Sequence, residues 1–482
     1  MNIRSVRTFL LLAFGVVCFL AFLRPISSND FWWHVKTAEV FLRTGKGLFV
    51  DVFSHTAAGA PLPNHEWGAQ LILYFATCVF GLTGVRLMAA GAGTAIILWQ
   101  CFWGSRATLG ALGFLAAGIS APFLVRWVEP RPALFSAVFG ATLPFLLQWL
   151  RDGLTWRRVA IVFLLFCLWM NLHAEALIGI LLAVLYLALV NVRSDEDSRR
   201  YSWKRLALVI LVLSTAVFAQ PFGWHLPVQM YRDALHSTMV VREWRPTVPA
   251  LFLMREWSLI ALLPILWFAG IATLWRNRRR IPASEAALWA VASVVSLLAI
   301  REIWWIVIPC GYVARWLTLF RWSRRRLTKL VLLAMVFWLA ALPWQKMRFE
   351  NWVADVEEGD FPVAQADFIE RKGLKGDLFN FYDNGGYLIY RLYPRCRTFI
   401  DPRHYPFSQE VWNAHDEILY GGPRAQELLD RYHVDLLLIR SGYFADPERN
   451  PFWFRAFTDG HYDVYIRKNA RNLENLKRVG VL

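Results

Sequence analysis

Apolar runs of 14 to 18 residues recur from Thr8 to Trp344, separated by short polar breaks rich in arginine, and then stop. Taken as membrane spans they fall at approximately 8–23, 87–103, 108–125, 133–150, 159–172, 174–190, 206–219, 259–275, 286–300, 303–320 and 330–344. Several are shorter than the ~20 residues an untilted helix needs, so their ends are only approximate. The first run follows Arg4 and Arg7 but leads into Arg24-Pro25 rather than a small-residue cleavage site, which reads as an uncleaved helix. Beyond the last run the pattern changes. Helical spacing appears at Val363 to Arg371, Gln409 to Tyr420 and Arg424 to Tyr432, and short β-type runs at Leu378 to Tyr382, Thr398 to Ile400, Asp435 to Ile439 and Val464 to Ile466. That alternation predicts a small α/β domain.

The predicted fold is therefore a polytopic α-helical membrane protein with about eleven transmembrane helices and a small C-terminal α/β extracytoplasmic domain. The transmembrane part takes residues 1–345, with external loops at 24–86 and 220–258, and the α/β domain takes 346–482. Composition agrees. Of 482 residues 57% are hydrophobic and 18% charged, against about a quarter charged in soluble domains. The net charge of +16 is uneven: residues 351–482 carry net −3 and the first 350 carry +19. Basicity confined to the membrane part points to topology and phosphate-bearing lipid, and no basic helix or RNA-type aromatic motif supports nucleic acid as a partner.

The positive-inside rule sets the orientation. Arginine clusters at the N-terminus, Arg151/Arg157/Arg158, Arg193 to Arg205, Arg276 to Arg280 and Arg321 to Lys329 all reach the cytoplasm if Leu71 to Phe80 is left out of the span count. That segment then lies in the interface. The N-terminus is cytoplasmic, and the setting predicted is a bacterial cytoplasmic (inner) membrane. The 25 tryptophans suit anchoring at helix ends. The six cysteines offer neither a disulfide pair outside the membrane nor a CxxC metal spacing.

Candidate chemistry sits in the outer loops. Asp30 follows the first span within Ser28-Asn29-Asp30-Phe31-Trp32-Trp33-His34. Aromatics that partly desolvate it suit a general base; its place before a Phe31–Arg43 helix equally suits a capping residue. Glu66 lies in Asn64-His65-Glu66-Trp67. Glu129 stands between Arg126 and Arg131 in a short external turn, where an ion pair, a lipid-phosphate site or a divalent-metal site all fit. Asn171 to Glu175 forms a polar break, costly in a membrane unless it lines a wet cavity. Arg242 and its tryptophan neighbours in the 220–258 loop suit an anionic head group, as does an ordinary solvated loop. The histidines match no zinc spacing, and there is no P-loop, Gly-rich dinucleotide motif or GxSxG.

This layout resembles the GT-C membrane glycosyltransferases, among them oligosaccharyltransferase catalytic subunits, protein mannosyltransferases and aminoarabinose transferases, and the whole sequence looks most like a bacterial branch of them. Asp30 to Thr37, followed by Thr44-Gly45, is similar to the opening of their first external loop, whose acid is the catalytic or metal-binding carboxylate. Phe381-Tyr382-Asp383-Asn384-Gly385-Gly386 is similar in layout to a W-W-D-Y-G segment that helps hold the acceptor, with both tryptophans replaced; a plain turn accounts for it too.

The resemblance implies transfer of a sugar from a polyprenyl-phosphate-linked donor to a glycan, lipid or protein acceptor at the outer face of the membrane. In it Asp30, Glu66 and Glu129 are the catalytic candidates, and Arg126, Arg131, Arg242 and Arg301 meet the donor phosphate. Tyr382 and Asp383 meet the acceptor, and Mg or Mn is implied at Asp30 and Glu129. Two rivals share the polytopic layout: a transporter or flippase, and a non-catalytic cell-envelope assembly protein.

Overall fold

A computed structural model describes residues 3–100, 111–125, 127–192, 200–228, 244–317, 352–356, 361–442 and 451–481, with isolated positions 329, 336 and 359. The chain divides into two compact units, residues 1–25 with 82–355 and residues 26–81 with 356–482.

The first unit is helical. Its helices run Ile3–Phe22, Ala111–Val125, Ala133–Asp152, Trp156–Met170, Ala176–Ala188, Trp203–Ser214, Thr247–Leu253, Trp257–Arg276, Ala283–Leu298 and Val307–Leu317, together with the second half of Trp67–Gln100. A helix thus stands at every expected span except 330–344, which lies outside the described residues. Among the described helices, Trp67–Gln100, Ala133–Asp152 and Trp257–Arg276 are long and apolar enough to cross a membrane. Gly81 (φ 67°, ψ −174°) breaks Trp67–Gln100, so Leu71 to Phe80 is separate from the segment that follows.

Tryptophans play two roles here. Trp156, Trp203 and Trp257 open their helices and are exposed, as does Trp275 near a helix end, positions that suit an interfacial belt. Trp169, Trp304 and Trp305 are instead core: Trp304 and Trp305 stack at 4.3 Å, and Trp169 lies 6.4 Å from Trp305. Glycines make the room. A Cβ on Gly140 would sit 2.5 Å from Trp304, and one on Gly179 2.3 Å from Trp169.

The second unit is built on a five-stranded sheet, order β2-β1-β3-β5-β4, from β1 (Gly376–Asn380), β2 (Cys396–Thr398), β3 (Leu436–Arg440), β4 (Trp453–Thr458) and β5 (Tyr462–Arg467). β2, β1 and β3 are parallel; β5 joins antiparallel to β3 and β4. Helices Val363–Lys372, Gln409–Leu419 and Ala425–Arg431 match the expected stretches, whereas β4 and the helices Gly385–Leu392 and Leu473–Arg478 were not legible in the sequence.

One correction concerns the domain boundary. Residues 24–86 were expected to belong to the membrane part, but 26–81 pack with the sheet. The outer edge of β2 is the physical cause, since unpaired strand groups seek partners. Thr398 N donates to Phe53 O (3.1 Å) and His55 N to Thr398 O (3.0 Å), while Thr56 Oγ1 donates to Phe399 O (2.5 Å). The first loop therefore meets the tail's sheet through a single parallel β-bridge, Ser54 to Thr398.

A buried ion cluster fastens the same junction. Arg403 lies 2.6 Å from Asp51 and 2.7 Å from Asp401, all with fully buried side chains. Asp51 also accepts from Phe53 N and Ser54 N and from the Ser54 hydroxyl. The excess negative charge is thus spread over donors, which is what makes its burial tolerable.

His55 is placed beside this edge. Burial lowers its pKa to about 4, opposed by Asp377 and reinforced by Arg397, and its Nε2 finds no hydrogen-bond partner among the described residues. Protons therefore bind the unfolded chain first, near pH 6.5. The stability tied to His55 is full above that pH and is lost as pH falls from about 6.5 to about 4. Thermal unfolding at pH 7.5 and pH 5 should show a smaller difference in His55→Gln than in the parent protein. An equal difference would remove His55 from the account.

Candidate active site

Asp30 sits in the first turn of helix Asn29–Thr44, which the Ser28 hydroxyl caps by accepting from Asp30 N at 3.3 Å. The capping role therefore belongs to Ser28, and the Asp30 carboxylate is turned to other use. Its Oδ1 accepts the Trp33 indole N–H at 3.2 Å, and it is half-buried. The helix ends at Gly45 in the left-handed conformation (φ 72°), the usual way to close orphan carbonyls.

One turn on from Asp30, at the i+4 spacing that shares a helix face, His34 is almost fully buried and 3.6 Å from Glu66 through Nε2. Its Nδ1 lies 3.1 Å from the Gln70 amide, which exchanges two hydrogen bonds with Asn64 at 2.8 and 3.0 Å. Asn64 in turn binds Leu48 O at 2.9 Å and receives Glu66 N at 3.2 Å. Glu66 and Gln70 thereby brace His34 one turn along the helix that Asp30 opens. His34, Gln70 and Asn64 were not singled out by sequence reasoning. The i, i+4 relation of Asp30 and His34 was the available signal.

The segment that follows the acceptor candidates lies against the same helix. A Cβ on Gly386 would be 2.2 Å from Asn29 O and 3.2 Å from the Trp33 ring, and one on Gly385 would be 2.5 Å from Ile400 O. The two glycines let the segment after Asp383 wedge between the Asp30 helix and the loop following β2. Tyr382 donates to Pro402 O at 3.3 Å, and Asp383 is exposed. Gly386→Ala is expected to cost about 1–3 kcal/mol through overpacking, since the opposing atom is backbone and cannot rotate away. A melting temperature equal to that of the parent protein would contradict this packing.

In the helical unit, Arg131 and Arg301 share neighbours. Both are charged neighbours of buried Glu175 and Glu302. Arg301 Nε is 3.5 Å from Glu302, and its guanidinium stands 4.7 Å over the Trp244 ring. Trp305 Nε1 donates to Glu302 at 3.1 Å, and Glu175 is 3.8 Å from His173, which meets Ser136 at 2.8 Å. Glu129 lies in the turn closed by Arg131 N donating to its carbonyl at 2.8 Å. Arg126 and Arg242 lie outside the described residues. Among the described residues no group of three or more His, Cys, Asp or Glu side chains is assembled to hold a metal. The Mg or Mn implied at Asp30 and Glu129 therefore has no fitted donor set there.

No family model matches the chain, and no curated protein matches it in sequence. Solved structures do match its fold. The archaeal oligosaccharyltransferase AglB from Archaeoglobus fulgidus, in complex with an inhibitory peptide and a dolichol-phosphate, aligns over 96% of this chain and 74% of its own at TM-score 0.58 and 11% identity. ArnT from Cupriavidus metallidurans in the apo state aligns over 96% of this chain and 98% of its own at TM-score 0.57 and 13% identity. ArnT bound to undecaprenyl phosphate aligns over 95% and 97% at TM-score 0.55 and 13% identity. Both are GT-C superfamily members, and this chain has their fold.

Proposed function

We propose that the protein is a membrane glycosyltransferase that moves a sugar from a polyprenyl-phosphate-linked donor to an acceptor hydroxyl at the outer face of a bacterial cytoplasmic membrane. The observation that carries this reading is a half-buried Asp30 carboxylate at the start of a helix whose His34 meets Glu66, in a chain with the GT-C fold. AglB with dolichol-phosphate and ArnT with undecaprenyl phosphate support the lipid carrier.

In the proposed step Asp30 accepts the proton of the acceptor hydroxyl as its oxygen bonds to the anomeric carbon. The bond from that carbon to the carrier's phosphate oxygen breaks, and the phosphate leaves with the electron pair. Glu66 keeps the His34 imidazole in place beside this turn. Arg131 and Arg301 of the helical unit, with Arg126 and Arg242, are the arginines suited by chemistry to hold a carrier phosphate. Glu129 steadies Arg131, and Tyr382 and Asp383 receive the acceptor. No step passes through a metal ion.

The test is a direct one. Purified protein in lipid discs is given undecaprenyl-phosphate donors bearing different radiolabelled sugars, with membrane glycolipid and polysaccharide extracts as acceptors. Release of free carrier with label appearing in an acceptor is expected for one donor. Carrier release from none of them would sink the proposal.

A further inference from the structure

The unit that holds Asp30 also carries a row of rings, of which the transfer step uses only Tyr382. The Trp412 ring lies 5.1 Å from Tyr382 and 5.1 Å from His404. His404 is 6.4 Å from Tyr405, and Tyr405 is 6.3 Å from His65, which faces Glu66 at 3.8 Å. Tyr382, His404, Tyr405 and Trp412 are each half-buried, resting on the core yet reaching its surface. The row reaches Glu66 through His65.

His404 has a backbone cost. Its φ of 62° is left-handed, unusual for a residue with a Cβ, and such strain persists only where the surroundings enforce it. The enforcing element is next to it: Arg403, locked between Asp401 and Asp51. A strained imidazole held by a buried ion cluster is costlier than a surface turn requires, and the resulting shelf joins flat faces to polar edges. Indole, phenol and imidazole side by side suit a pyranose ring, whose C–H face stacks on the indole while its hydroxyls bond the phenol and imidazole. Burial lowers the His404 pKa, so at neutral pH the ring is neutral and both donates and accepts.

We propose that Trp412, His404, Tyr405 and Tyr382 form a saccharide-binding shelf, and that the acceptor of the transfer is a carbohydrate chain lying along it toward Asp30. Its second half rests on the transferase reading; the binding itself does not.

The experiment is saturation-transfer difference NMR on the full-length protein in detergent, with maltotetraose, mannotetraose and chitotetraose as probes at millimolar concentration. Saturation is expected to reach the ring protons of at least one probe, and to fall about fivefold or more in Trp412→Ala and in His404→Gly. Glycine is at ease at a positive φ, so a loss in His404→Gly does not reflect misfolding. Saturation of no probe, or equal saturation in both shelf variants, overturns the proposal. Probe binding in a protein that transfers no sugar would remove the transferase reading alone, and transfer without probe binding would remove the shelf alone.

Discussion

Exchange of Asp30 for Asn is expected to lower sugar transfer about 10²–10⁴-fold, the range associated with a positioned general base, in a protein that stays folded. The amide is close in size to the carboxyl and keeps an oxygen to accept the Trp33 indole N–H. The helix keeps its start, because Ser28 rather than Asp30 provides the cap. What the variant loses is the proton acceptor and a negative charge. If Asp30 served only to complement the helix dipole, the exchange would cost about 0.3–1 kcal/mol of stability and leave the rate unchanged. The two roles separate cleanly when transfer rate and melting temperature are measured on the same preparation. An unchanged rate would return the transporter and assembly-protein readings to the front.

The second large effect concerns the junction of loop and tail. Arg403→Met is expected to destabilise the sheet-bearing unit by about 3–5 kcal/mol, because it strands two buried carboxylates without their counter-ion. Asp51 and Asp401 both have fully buried side chains, so water cannot take the arginine's place without opening the structure. Proteolysis should then cut first between residues 45 and 65. A triple variant carrying Asp51→Asn and Asp401→Asn as well should recover much of the loss, since the uncompensated charge is gone. Equal protease resistance of parent and Arg403→Met would show that the cluster does not hold the loop.

Local pattern reached far along this chain. The apolar runs located helices to within a few residues, because a helix that buries or faces lipid on most sides has nowhere to put polar groups. The helix after Asp30 was expected at Phe31–Arg43 and spans Asn29–Thr44; its apolar spacing and Gly45 are both local signals. Strand β4 was missed because its residues alternate imperfectly and a bulge between Arg455 and Phe457 breaks the register. Helix Gly385–Leu392 was hidden by its two glycines, which in a sequence announce a turn. Here they answer close approach by Asn29 O and Ile400 O.

The candidate site divides the same way. Asp30 and Glu66 stood out as acids among aromatics in an outer loop, and nothing more than neighbouring residues was needed to notice them. That His34 meets Glu66, and that Gln70 and Asn64 brace it, depends on how residues 26–81 fold back on themselves.

Hydrophobic period, arginine placement and the change of texture after Trp344 determined by themselves that this is a helical membrane chain with a separate α/β portion, because those properties act over a few turns of helix. The pairing of Thr56 with Phe399, 343 residues apart, and the union of Asp51 with Arg403 were decided only by tertiary structure. A strand edge and a buried charge accept any partner of suitable chemistry, and only the folded chain selects which one arrives.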